Sequence, residues 1–134
     1  MKIILNVSVF LLNFMLNQAH AEVSDEQENF NIINENYVKA DNELNLLYKM
    51  QIQQYKKEGA DFYGQKESRD VYLKKSQQVW IKMRDASCNY ETYESKTGTG
   101  FSSIYTQCLL DKTKERIKYL KKINKEWRSE VNRK

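Results

Sequence analysis

Ser76-Gln-Gln-Val-Trp-Ile-Lys-Met-Arg-Asp-Ala-Ser-Cys88 and Cys108-Leu-Leu-Asp-Lys-Thr-Lys-Glu-Arg-Ile-Lys-Tyr-Leu120 are the stretches whose reading decides the fold. Both alternate apolar and polar residues at helical spacing. A disulfide between Cys88 and Cys108 would therefore tie the end of one helix to the start of the next. Closing a loop of about twenty residues adds roughly 3 kcal/mol in the chain-entropy model. That is a large share of a small domain's net stability. The pair reads as a structural staple, and it argues against a cysteine nucleophile.

Working outward, the chain has no proline, and its glycines stand only at 59, 64, 98 and 100. They divide it into three long helix-compatible stretches. The first is expected to start at Ser24, with Gln27 three residues on as a capping box. Its apolar positions Phe30, Ile33, Tyr37, Ala40, Leu44 and Leu47 lay one stripe along a helix. Gln51 breaks that stripe, although Tyr48, Ile52 and Tyr55 extend an apolar flank. The second helix is expected from about Lys66 to Ser87, burying Tyr72, Leu73, Val79, Trp80 and Met83. The third begins near Ser102 or Ser103 and carries Leu110, Thr113, Ile117, Leu120, Asn124, Trp127 and Val131 at heptad spacing. Three such helices joined by short turns make an all-α, up-down-up three-helix bundle, with one disulfide joining the end of helix 2 to the start of helix 3.

The first 21 residues read as a signal peptide. Lys2 supplies the positive start, Ile3–Leu16 is mostly apolar, and Ala19-His20-Ala21 is the small-x-small pattern cut by signal peptidase. The apolar run is short for a membrane span, and no cysteine follows it for lipid attachment. Cleavage after Ala21 leaves residues 22–134 as one small helical domain in the periplasm or outside the cell, where a disulfide persists.

That domain has little catalytic equipment. The one histidine, His20, leaves with the leader. Without imidazole the usual general base, the Ser-His and Cys-His pairs and most zinc sites are excluded. Gly98-Thr-Gly100 lacks the Lys-Ser/Thr of a phosphate loop. The chain reads as no enzyme, with no cofactor and no metal. Charge is uneven instead. Glu22–Asn45 holds seven acids against Lys39, a net of −6, while Asp111–Lys134 holds ten bases against four acids, a net of +6. Acids at a helix start and bases at a helix end also suit the macrodipole. The sharper readings are an acidic face for a cationic protein, or a basic stripe (Lys114, Lys118, Lys121, Lys125, Arg128) for anionic envelope polymer. Export disfavours nucleic acid.

Asp41-Asn-Glu-Leu-Asn-Leu-Leu-Tyr48, Leu73-Lys-Lys-Ser-Gln-Gln-Val-Trp80-Ile-Lys-Met-Arg84-Asp85-Ala-Ser-Cys88, Gly98-Thr-Gly100, and Cys108 with Thr113-Lys-Glu-Arg116 together resemble the LprI-type lysozyme inhibitor family of small secreted bacterial proteins. The resemblance runs from about Asp41 to Leu120. It implies an all-helical periplasmic or envelope domain and a lysozyme or other peptidoglycan hydrolase as protein partner. Some relatives have a further N-terminal cysteine pair, absent here, and the namesake is a lipoprotein.

Within the motif, Asp41 and Asn45 share one face of the first helix, and Gln77 and Arg84 share one face of the second. Asp41 is expected to pair with Arg84 or Arg116, with Asn45 and Gln77 bonding between helices, as a structural polar network. Trp80 reads as a core anchor. Candidate partner contacts are Glu26 and Glu28 on the acidic segment, and Tyr90, Tyr93 and Phe101 on the stapled loop. Three functions fit: steric inhibition of a peptidoglycan-cleaving enzyme, immunity against a periplasmic toxin, and non-inhibitory envelope binding through the basic third helix.

Overall fold

The computed structural model describes residues 2–60 and 64–131, with the side chains of 25–60, 64–126, 128 and 129. The leader's side chains, that of Ser24, and those of Trp127 and Val131 lie outside the described residues. Helix α1 spans Lys2–Glu58, α2 Arg69–Glu91 and α3 Phe101–Val131, with a 3-10 turn at Tyr93–Ser95. Among the described residues there is no strand, and no helix is long and apolar enough to cross a membrane.

The contacts fix an up-down-up arrangement. Glu26 meets Ser103 and Tyr55 meets Asn124, so α1 and α3 run in the same direction. Cys88 is bonded to Cys108 across 5.7 Å between Cα atoms, and Gln77 meets Arg116, so α2 runs against α3. Gly59 ends α1 in the left-handed conformation, φ +74°, its N–H returning to the Tyr55 carbonyl at 3.2 Å. At the other turn, the Thr92 hydroxyl and N–H both donate to the Cys88 carbonyl, at 2.7 and 3.1 Å. These bonds close α2 one turn past the cysteine, so the helix expected to end near Ser87 runs on to Glu91.

The apolar core joins Ala40 and Leu44 of α1 to Leu110, Ile117 and Leu120 of α3, with Tyr37, Leu47, Leu73 and Trp80 packed against it. The stripes expected on α1 and α3 are the ones that meet. Two details differ. Helix α1 passes through Ser24 without a start, because the residues before it are themselves helical. Gln51 does not interrupt the stripe: it is buried, and its amide donates to the Leu120 carbonyl at 3.1 Å. A buried amide with a partner is accommodated where an unpartnered one would not be.

Helix α2 departs most from expectation. Of the five residues assigned to its buried side, Leu73 and Trp80 are half-buried. Tyr72, Val79 and Met83 are 54%, 67% and 50% exposed. The side chains it buries are Asp70, Gln77, Arg84 and Cys88. Those positions recur at the spacing of one helix face, but the face is polar.

Candidate interaction surfaces

At the disulfide end, the turn from Thr92 to Gly100 is built from nested backbone bonds: Ser95 N–H to Thr92 at 3.0 Å, Gly98 N–H to Ser95 at 2.9 Å and Phe101 N–H to Gly98 at 3.2 Å. Gly98 has little room for a side chain, since a Cβ there would stand 3.3 Å from the Ser95 carbonyl oxygen. The tight turn leaves Tyr90 and Tyr93 exposed, with the Lys96 ammonium over the Tyr93 ring at 5.6 Å. Phe101 is half-buried, tilted against Tyr105 at 5.7 Å between centroids.

The acidic segment of α1 arrives at the same end. The Ser103 hydroxyl donates to the Glu26 carboxylate, which lies 3.6 Å from where a Cβ on Gly100 would stand. Helix α3 has no acid in its own first turn. Glu26 places a negative charge beside that helix start from another element, where the macrodipole favours it. Glu26 is thus held within the fold, while Glu28 faces solvent.

Midway along the bundle, the motif's polar residues form two clusters. In the first, Asn45 donates to Asp41 at 2.9 Å within α1. Arg84 approaches Asp41 at 3.8 Å and binds its own neighbour Asp85 more closely, at 2.9 Å. In the second, Arg116 Nε donates to Gln77 at 3.0 Å and Nη2 to Ser76 at 2.9 Å. Asp41 therefore meets Arg84 and not Arg116. Gln77 bonds between helices, whereas Asn45 bonds along its own. The clusters are joined by Trp80, whose ring has the Arg84 guanidinium 5.2 Å away and the Arg116 guanidinium 5.5 Å away. Cation–π attraction grows as the cation is desolvated, and both arginines are buried.

Sequence reasoning missed Ser76, Asp85 and Tyr119 here. The Tyr119 ring sits 5.2 Å from Arg116, a neighbour that a three-residue step along α3 could have signalled. Burial pulls the Arg116 guanidinium below its usual value, with Tyr119 opposing the shift. Burial raises the Tyr37 phenol, and Arg84 beside it partly offsets that. Among the described residues no group of His, Cys, Asp and Glu side chains could hold a metal ion.

Beside this cluster an open groove of about 360 Å³ separates α2 from α3. Trp80 and Met83 line one wall, and Lys112, Glu115, Arg116 and Tyr119 the other.

Comparison with known proteins agrees with this architecture. The family model described as "Lysozyme inhibitor LprI" matches residues 17–120. A crystal structure of a DUF1311 family protein from Pseudomonas putida KT2440 is similar in fold, with a TM-score of 0.59 and 25% sequence identity. The match covers 70% of this chain and 88% of that one. No curated protein matches the chain. The matched span holds both cysteines, the Arg84–Trp80–Arg116 stack and the stapled turn, and on that span the chain belongs to the LprI lysozyme inhibitor family.

Proposed function

We propose that this protein is exported, loses residues 1–21 after Ala21, and binds and inhibits a peptidoglycan-cleaving enzyme of the lysozyme type. Inhibition is steric: the protein occupies the enzyme's cleft and contributes no chemistry. The family's name supports the activity. The observation that carries the choice of surface is the Ser103–Glu26 hydrogen bond. It brings the acidic segment of α1 and the disulfide-tethered turn to one end of the bundle.

That end combines what an inhibitor of a basic enzyme needs. Glu28 and its acidic neighbours speed encounter with a cationic partner. Tyr90 and Tyr93 offer large aromatic surface on a backbone already ordered by the staple, so little conformational freedom is lost on docking. Phe101 closes the turn through its N–H bond to the Gly98 carbonyl. Of the basic stripe on α3, Lys121 is bound to Glu43 at 2.6 Å and Arg128 to Gln54 at 3.1 Å, so part of it is engaged within the fold, which supports inhibition over envelope binding as the main activity.

The test is clearing of a peptidoglycan suspension by lysozymes of several types, with and without purified residues 22–134. Stoichiometric inhibition of one type is expected. Tyr93→Ala and Glu28→Lys should each weaken it at least several-fold. No inhibition at micromolar protein would reject the activity, and inhibition indifferent to both substitutions would reject the surface.

A further inference from the structure

Helix α2 carries its apolar residues on the outside. Tyr72, Val79 and Met83 follow one another at seven and four residues, and Tyr90 lies seven beyond Met83, so they share one face. All four are exposed. The stripe borders the groove between α2 and α3, which it shares through Met83. Exposed apolar side chains aligned on one face beside a groove make a candidate contact site.

Lining the groove is a charge without a counter-ion among the described residues. Arg116 is 8% exposed, and its hydrogen bonds go to the neutral acceptors Gln77 and Ser76. Among the described residues no carboxylate pairs with it. Other charges around the groove are differently placed. Lys112 is bound to Glu91 at 2.8 Å. Glu115 lies next to Arg116 in sequence but faces solvent, where its field is screened. A desolvated guanidinium favours a carboxylate brought to it out of water, and with Nε and Nη2 given to Gln77 and Ser76 it meets that carboxylate through Nη1.

We propose that the groove between α2 and α3, together with the outward stripe of α2, docks a second protein through a segment that presents a carboxylate beside apolar side chains. The apolar side chains lie on Val79 and Met83, and the carboxylate reaches Arg116 over Trp80. A second copy of this chain fits poorly. An isologous pairing of α2 with itself would set the stripe's flanking lysines, Lys75 and Lys82, against their own kind. The partner is thus opposite in charge to the one proposed for the stapled end, and the contacts at Val79, Met83 and Arg116 lie outside that surface, the two sharing only Tyr90.

The experiment is an NMR titration of the isotopically labelled protein with an amphipathic leucine–glutamate peptide, and with the same peptide carrying glutamine for glutamate. The Trp80 indole and Arg116 Nε–H signals should shift with the glutamate peptide, which should bind about tenfold tighter than its glutamine counterpart. Arg116→Gln should erase that preference. Should Arg116→Gln fail to fold, Met83→Glu decides. It alters an exposed position and should abolish binding of the acidic peptide, whereas Tyr93→Ala should leave binding unchanged. Equal affinity for both peptides, shifts away from the groove, or indifference to Met83→Glu would overturn the proposal. So would binding to phosphatidylglycerol vesicles in place of the peptide.

Discussion

The α1–α3 seam and the α2 interface are built on opposite principles within one small bundle. Between α1 and α3, Ala40, Leu44, Leu110, Ile117 and Leu120 close an apolar core, whose stabilisation follows the area taken from water. Gln51 and Tyr55 reach across that seam to polar partners, the Leu120 carbonyl and Asn124. Helix α2 instead turns Asp70, Gln77 and Arg84 inward and leaves Val79 and Met83 outside. It is held by the Cys88–Cys108 bond and by directional contacts of its Gln77 and Trp80 to Arg116 and of its Arg84 to Asp41. Buried polar contacts of this kind set register more than they add stability. The difference teaches that α2 is positioned by a staple and clamps, which frees its apolar side for other use.

The sharpest way to break this contrast is Leu44→Ala, in the middle of the seam. It should cost about 4 kcal/mol in denaturant unfolding; a cost under about 1 kcal/mol would mean the seam is not the main source of stability. Replacing both Cys88 and Cys108 by serine should cost about 3 kcal/mol, with the loss falling on α2. A smaller effect, confined to low pH, is expected at the start of α2. Hydrogen bonds from Ser68, and then from Lys74, hold the Asp70 carboxyl below its ordinary range. A lowered folded value contributes stability that is present above the ordinary aspartate range and lost as pH falls through the folded value. Asp70→Asn should flatten the acid limb of stability below about pH 4.

Thr113 should move stability the other way. Its hydroxyl is fully buried and has no hydrogen-bond partner, so Thr113→Val should raise stability by about 1 kcal/mol. Val79→Gln should do least, within about 0.5 kcal/mol, because the side chain already faces solvent. A loss of 2 kcal/mol there would place Val79 in a core and erase the contrast.

The seam was legible because apolar side chains at three- and four-residue steps have one destination when two such stripes exist. Phe30 to Leu47, and Leu110 to Leu120, could be read without knowing their partners. For α2 the same rule sent Tyr72, Val79 and Met83 inward, since hydropathy cannot distinguish apolar residues meant for the core from those left for a partner. Of the polar face, Gln77 and Arg84 were visible as spacing, and Asp70 was not. The buried groups of that face are partnered by Ser68 and Lys74 at Asp70 and, from α3, by Arg116 at Gln77. Gln51 was misread for the same reason, because its acceptor is a backbone carbonyl that carries no sequence signature. The meeting of Glu26 with Ser103 joins positions 77 residues apart, and no local pattern announces it. For Gln51, Gln77 and Glu26 the missing information was the identity of a polar partner distant in the chain.

The most direct test of α2 as a stapled and clamped helix is native-state amide hydrogen exchange with and without reductant. Under oxidising conditions the amides of Leu44, Ile117 and Gln77 should all be strongly protected. After reduction, Gln77 and Arg84 should exchange well before Leu44 and Ile117, as α2 opens from a seam that persists. If α1, α2 and α3 lose protection together on reduction, or if α2 keeps its protection undiminished, the two regions are not held by different means.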